Sequence, residues 1–172
     1  KYVYVTSMRP FKKGIYLKYS QLEKVNKVSD ICHPIIKESF NAINYAKKNN
    51  IDVIVLDHHQ SEIKLPNAYS IVNPNRLDDQ SNLNYLCAAG VSFMFLVSLN
   101  RELRSKNWFK KNNIQEPNLM NYLDLVSLGT VCDVVPLTGL NRAIVKQGLK
   151  IIKSKKNLGL KTLLDICKIE SS

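Results

Sequence analysis

No run of about 18 apolar residues occurs in this 172-residue chain, so no membrane-spanning helix is expected. The opening stretch KYVYVTSMRPFKK lacks the apolar core and small-residue cleavage site of a secretory signal. It also lacks an initial Met, from which a start inside a longer reading frame is expected. Cys32, Cys87, Cys132 and Cys167 are widely spaced and form no C-x-x-C pair. A disulfide scaffold is not expected either, because a chain of this length that is 45% hydrophobic can bury a core. The expectation is buried thiols in a reducing cytoplasm. Internal repeats and low-complexity linkers are also absent, and the length suits one domain or a large piece of one.

Charge is present in excess, with a formal net value of +11. Residues 1–50 hold ten Lys/Arg against three acids, residues 51–141 seven against nine, and residues 142–172 eight against two. Basic flanks around a slightly acidic centre suit a polyanion whose phosphates meet a metal-holding middle. The same lysines also read as ordinary solvated surface, so the charge supports a nucleic-acid partner without establishing one.

Residues 1–34 carry little pattern beyond a possible short strand at YVYV. From Ile35 onward, Ile36, Phe40, Ile43 and Ala46 recur at helical spacing, ending in Lys47-Lys48-Asn49-Asn50. Cations in a last turn followed by Asn are a fitting helix stop. IDVIVLD (51–57) is short, β-branched and continuous, which predicts a strand buried on both faces. A polar loop with Pro66 leads to a second short strand, YSIVN, and then Asn73-Pro74-Asn75. LNYLCAAGVSFMFLVSLNREL (83–103) predicts a helix with a small, close-packing face at Cys87-Ala88-Ala89-Gly90. Further helices are expected over 118–129, over 139–153 and for a turn or two from Gly159, with a polar connection at 106–118. The predicted class is α/β, a mostly parallel sheet flanked by helices and followed by a helical segment.

Two places carry candidate chemistry. Asp57-His58-His59 falls where the buried strand runs out, and in open α/β sheets that edge binds ligands. Strand alternation would point His58 away from its neighbours, so the triplet is expected in the turn beyond the strand. A carboxylate with imidazole and no thiolate cluster suits Mn²⁺ or Mg²⁺ rather than structural zinc. The second imidazole is then left to contact a phosphate oxygen. The plain alternative is a polar turn. Asp133 is a lone acid in GTVCDVVPL, a segment that looks buried. Such a carboxylate needs a metal or hydrogen bonds, or else it caps the next turn.

IDVIVLDHHQ, LPNAYSIVNPN, LCAAGVSF and LDLVSLGTVCDVVPLTGLNRAIVKQGL together resemble the catalytic DHH domain of RecJ exonucleases, in order and spacing, from about Ile43 to Leu149. The resemblance implies an incomplete DHH phosphoesterase domain over 35–137. It also implies a poorly matching segment at 1–34 and, at 138–172, a helical connection toward a further domain. Metal-dependent, 5′-to-3′ exonuclease action on single-stranded DNA in recombination and repair is implied too. By position, Asp57, His58 and Asp133 resemble metal ligands, and His59 the histidine on the scissile phosphate. Asn141-Arg142 resembles the family's Asn-Arg pair, with Arg142 either on DNA backbone or merely solvated. Single-stranded-DNA-binding protein or a helicase is an implied partner.

The chain departs from that pattern in two respects. The family's Asp-x-Asp motif is absent, and its Asp-Cys-Gly segment should fall where Pro34-Ile35-Ile36 stand; Asp30 and Cys32 are out of register. The C-terminal nucleic-acid-binding domain is not included either. Negligible nuclease activity is therefore expected of the chain alone. Two other readings stay open: a DHH phosphodiesterase of oligonucleotides or cyclic dinucleotides, and a non-catalytic nucleic-acid-binding remnant.

Overall fold

The computed structural model describes residues 2–6, 34–61 and 63–168; Asp30 and Cys32 lie outside them. Contacts divide the chain into two units, Lys1–Asn84 and Tyr85–Ser172.

In the first unit, β1 (Tyr2–Thr6), β2 (Asp52–Leu56) and β3 (Ser70–Val72) form a parallel sheet in the order β1-β2-β3. Val53 pairs with Val3, and Val55 with both Val5 and Ile71. Helix α1 (Pro34–Lys48) lies between β1 and β2 in the chain. Its first residue is Pro34, where a missing N–H costs nothing and the fixed φ suits the first turn. The stop is the expected one. Asn50 takes φ 55, and Ile51 N donates to Ala46 O at 3.0 Å, closing the last turn.

Ile43 and Ala46 of α1 pack on Val53 and Val55, with Ile51, Ala68 and Ile71 around them. Each fully buried aliphatic here contributes about 1.5–3 kcal/mol. Leu56 is buried as well, while Ile54 is only half-buried and Asp52 exposed. Burial on both faces is thus complete only toward the C-terminal end of β2. Among the described residues between β2 and β3 none is helical, and the crossover from Asp57 to Tyr69 is irregular. That loop must leave the C-terminal edge of the sheet, which places the Asp57 triplet there.

The second unit is helical: α2 (Ala88–Ser105), α3 (Trp108–Lys111), a 3₁₀ turn (Leu119–Tyr122), α4 (Leu123–Cys132), α5 (Gly139–Lys153) and α6 (Leu158–Ile166). Phe93, Leu123, Val126 and Ile144 make its core, with Met94, Leu119, Leu140 and Ile151 at the margin. Helix α2 starts five residues later than the apolar pattern suggests. Cys87 caps it with extended backbone, its Sγ accepting from Gly90 N at 3.4 Å, and Asn84 and Tyr85 before it form a turn rather than helix. The small face of α2 is confirmed, since a Cβ on Gly129 of α4 would sit 2.7 Å from Ala89 Cβ. The helix expected over 118–129 is instead a 3₁₀ turn followed by α4, which runs on to Cys132. Residues 123–132 and 139–153 pack together inside this one unit, on either side of the motif boundary at 137/138.

Of the three described cysteines, only Cys87 is buried; Cys132 and Cys167 are exposed, so the expectation of buried thiols holds for one. Both exposed residues lie at helix ends, where the chain turns into solvent. No described helix is long and apolar enough to cross a membrane.

The connection 112–118 is anchored to α2 by a forked ion pair. Arg104 Nε donates to Glu116 Oε1 and Oε2 at 3.1 and 3.0 Å, and Nη2 also reaches Oε1. Asn100 Nδ2 adds a bond to the same carboxylate at 3.2 Å. The Arg104 hydrogen bonds hold the Glu116 carboxyl below the usual range. A carboxylate depressed in the folded state stabilises it fully above the unfolded value of about 4.3, and that share is lost as pH falls through the folded value. The Glu116 carboxyl should therefore titrate below 4.3 by ¹³C NMR and return toward it in Arg104→Gln. An unmoved midpoint would count against the fork.

Candidate metal and phosphate site

β2 ends at Leu56, and the triplet occupies the turn beyond it, as the alternation argument requires. Asp57 N still donates to Val72 O at 3.0 Å, the last rung between the two strands. The side chain then organises the turn. Asp57 Oδ1 accepts from His58 N (2.8 Å), His59 N (3.3 Å) and His59 Nδ1 (2.7 Å). Asp57 is 8% exposed, and its buried charge is offset by these three donors. No described residue donates to Oδ2. An ionised carboxylate only accepts, so the His59 proton sits on Nδ1 and the ring presents Nε2. The His58 and His59 ring centroids are 4.5 Å apart, inclined at 53°.

Asn73 and Asn75, which the sequence marks only as flanking Pro74 and not as site residues, complete this turn. Asn73 Nδ2 donates to His59 O at 2.9 Å, and Asn75 Nδ2 to His58 O at 2.6 Å. Asn75 N in turn donates to Asn73 Oδ1 at 2.8 Å, an Asx turn across Pro74. The Asn-Pro-Asn string was the available signal. Nearby, Arg76 is not open to a ligand: it forks onto Asp78 and donates to Ile71 O at 2.8 Å. Those hydrogen bonds hold the Asp78 carboxyl below the ordinary carboxylate range.

Asp133 and Arg142 belong to the second unit. Asp133 is the C-cap of α4, its N–H donating to Gly129 O at 3.0 Å. The buried setting inferred for it needs correction. Val131, Cys132, Val134 and Leu137 around it are exposed, although the Asp133 Oδ2 atom is itself buried. The reason is the turn that follows. Val134 takes φ 56, ending the helix and throwing its own side chain into solvent, 87% exposed. A β-branched residue in the left-handed region costs about 1–2 kcal/mol. Val134→Gly should therefore raise stability by about 1 kcal/mol after the greater chain entropy of glycine is subtracted. Urea unfolding checks this, and a loss of stability would mean that the turn is not strained.

Asn141, the neighbour of Arg142, is wholly buried and structural. Its Nδ2 donates to Tyr85 O at 2.8 Å and to Pro136 O at 2.9 Å. Arg142 is exposed.

Among the described residues, no group of three or more His, Cys, Asp or Glu is placed to hold a metal ion. In kind, the triplet suits a hard divalent cation, offering a carboxylate oxygen and imidazole without thiolate. In number it falls short, since Oδ1 of Asp57 is taken up by three N–H groups.

A small parallel sheet thus carries a buried Asp57 and a half-buried His59 at its C-terminal edge. Residues 30–130 match the DHH family, N-terminal domain, and the chain belongs to that family. Among its relatives, the single-stranded-DNA-specific exonuclease RecJ of Salmonella typhimurium is 45% identical over 129 residues, 74% of this chain and 22% of that protein. RecJ of Escherichia coli is 42% identical over the same shares. A crystal structure of exonuclease RecJ bound to manganese is similar with a TM-score of 0.59 and 29% identity, covering 80% of this chain and 32% of that one. The chain spans about a fifth of the length of the curated relatives it matches.

Proposed function

We propose that this chain is part of a RecJ-type exonuclease, a metal-dependent phosphodiesterase that degrades single-stranded DNA from its 5′ end in recombination and repair. The observation that carries the reading is the Asp57–His59 pair at the edge of the sheet. Asp57 orients the ring through Nδ1, and with a second proton on Nε2 the imidazolium donates from that nitrogen to a phosphoryl oxygen and stabilises growing negative charge. By their places in the family's motifs, Asp57, His58 and Asp133 are the residues that would hold Mn²⁺ or Mg²⁺, which would polarise the phosphate and lower the pKa of an attacking water. Residues 35–137 are the catalytic part, and the chain alone is inactive.

The second unit supplies a backbone-binding face. Arg142, Lys146 and Lys150 follow one another at four-residue steps on α5, are exposed, and have no acid on that helix. Like charges at this spacing repel within a helix, and phosphates relieve the repulsion. That face also favours the second reading, a nucleic-acid-binding piece without catalysis. Cytoplasmic location and contact with single-stranded-DNA-binding protein or a helicase belong to the first reading.

Mn²⁺ calorimetry and digestion of 5′-labelled single-stranded DNA test the proposal. Weak Mn²⁺ binding that is lost in Asp57→Ala, with no shortening of DNA, is the expected result. Robust shortening would overturn the claim that the chain is inactive. Absence of Mn²⁺ binding, unchanged in Asp133→Ala, would favour the non-catalytic reading. Cleavage of dinucleotides but not of long DNA would point to an oligonucleotide phosphodiesterase.

A further inference from the structure

The ladder between β2 and β3 ends at Asp57 N and Val72 O. Beyond that rung, the backbones of residues 58–59 and 73–75 are joined only through side chains. Asn73, 7% exposed, uses both ends of its amide: Nδ2 holds His59 O and Oδ1 holds Asn75 N. Asn75 Nδ2 holds His58 O and also reaches Asn84 O at 3.3 Å, while Gln60 Nε2 supports Asn75 Oδ1 at 3.3 Å. Each histidine thus has its N–H fixed by Asp57 Oδ1 and its carbonyl fixed by an asparagine. With both ends of each residue held, the orientation left to His59 is the rotation of its ring, and Asp57 Oδ1 sets that through Nδ1.

We propose that Asn73 and Asn75 are positioning residues that clamp the His58 and His59 carbonyls, so that His59 keeps its proton on Nδ1 and presents Nε2 outward. Partners one step removed from a reacting or ligating histidine set its tautomer and direction, and a loose one leaves the ring in several rotamers. The clamp rests on the reading of His59 as the phosphate-facing group only for its purpose; its geometry stands without that reading.

The chain has three histidines, so ¹⁵N-histidine spectra of the whole chain are simple to assign. At a pH where the imidazoles are neutral, wild type should show His59 as the Nδ1–H form. Asn73→Ala and Asn75→Ala should shift it toward the Nε2–H form that free imidazole side chains favour. Asn73→Asp keeps the acceptor for Asn75 N but cannot donate to His59 O, and should behave like Asn73→Ala. Asn100→Ala, which removes a side-chain amide from the other unit, should leave the tautomer unmoved while lowering stability. A retained Nδ1–H form in folded variants would overturn the proposal, as would an Nε2–H form in wild type. If Asn73→Ala does not fold, the less buried Asn75→Ala decides alone. A wild type that binds no Mn²⁺, with the tautomer still shifting in the asparagine variants, would defeat the phosphodiesterase reading and still support the clamp.

Discussion

Gly148→Ala should destabilise the second unit by about 3 kcal/mol, near the upper end of what forced overpacking costs. An added Cβ would lie 2.3 Å from Leu123 O, 2.3 Å from Ser127 Oγ and 2.4 Å from Ser127 Cβ. Leu123 O is backbone of α4, and Ser127 is buried with its hydroxyl donating to Asp124 O. Neither can swing aside, so α4 and α5 must separate and loosen Val126 and Ile144 between them. The helix propensity of alanine returns about 1 kcal/mol at most. Gly159→Ala on α6 is the matched control, because its Cβ would meet only Asn157 Oδ1, at 3.5 Å. Urea unfolding should show a large fall in midpoint for the first and none for the second. Equal behaviour of the two would mean that the α4–α5 approach is wider than described.

Asn141→Ala should cost about 2–3 kcal/mol. The substitution removes two hydrogen bonds from Nδ2 and leaves a cavity in a site with no solvent access. More than stability depends on this amide, because Pro136 O lies in the segment that carries Asp133 onward into α5. Tyr85 reinforces the same junction. Its hydroxyl accepts from Leu140 N at 3.4 Å and lies 3.0 Å from where a Gly139 Cβ would be, at a residue with φ 46. Amide exchange of residues 134–140 should accelerate in Asn141→Ala, whereas the first unit should keep its protection. A global change in both would show that the amide serves more than this junction.

Much of this was legible beforehand, and for identifiable reasons. The β-branched run 51–57 and the spacing of Phe40, Ile43 and Ala46 report local periodicity, which survives folding when one face is buried. Asn49-Asn50 as a stop and Gly139–Lys153 as a helix were readable because capping and amphipathicity are local properties. The Asp57 triplet was legible as a motif, and its place beyond β2 followed from strand alternation. What failed were inferences about surroundings. Asp133 looked buried because its neighbours are apolar, yet Val134 turns left-handed and exposes them.

Sequence by itself determined the class of fold, the position of the candidate site at the end of β2 and the basic character of α5. These depend on residue type and spacing within a few turns of chain. Tertiary structure alone decided that Asp57 Oδ1 is given over to His59, that Asn73 and Asn75 hold the two histidine carbonyls, and that Gly148 admits a neighbouring helix backbone. Most of those contacts join residues more than ten positions apart. Their partners are selected by how parallel strands and crossing helices bring the backbone together, which no local pattern records.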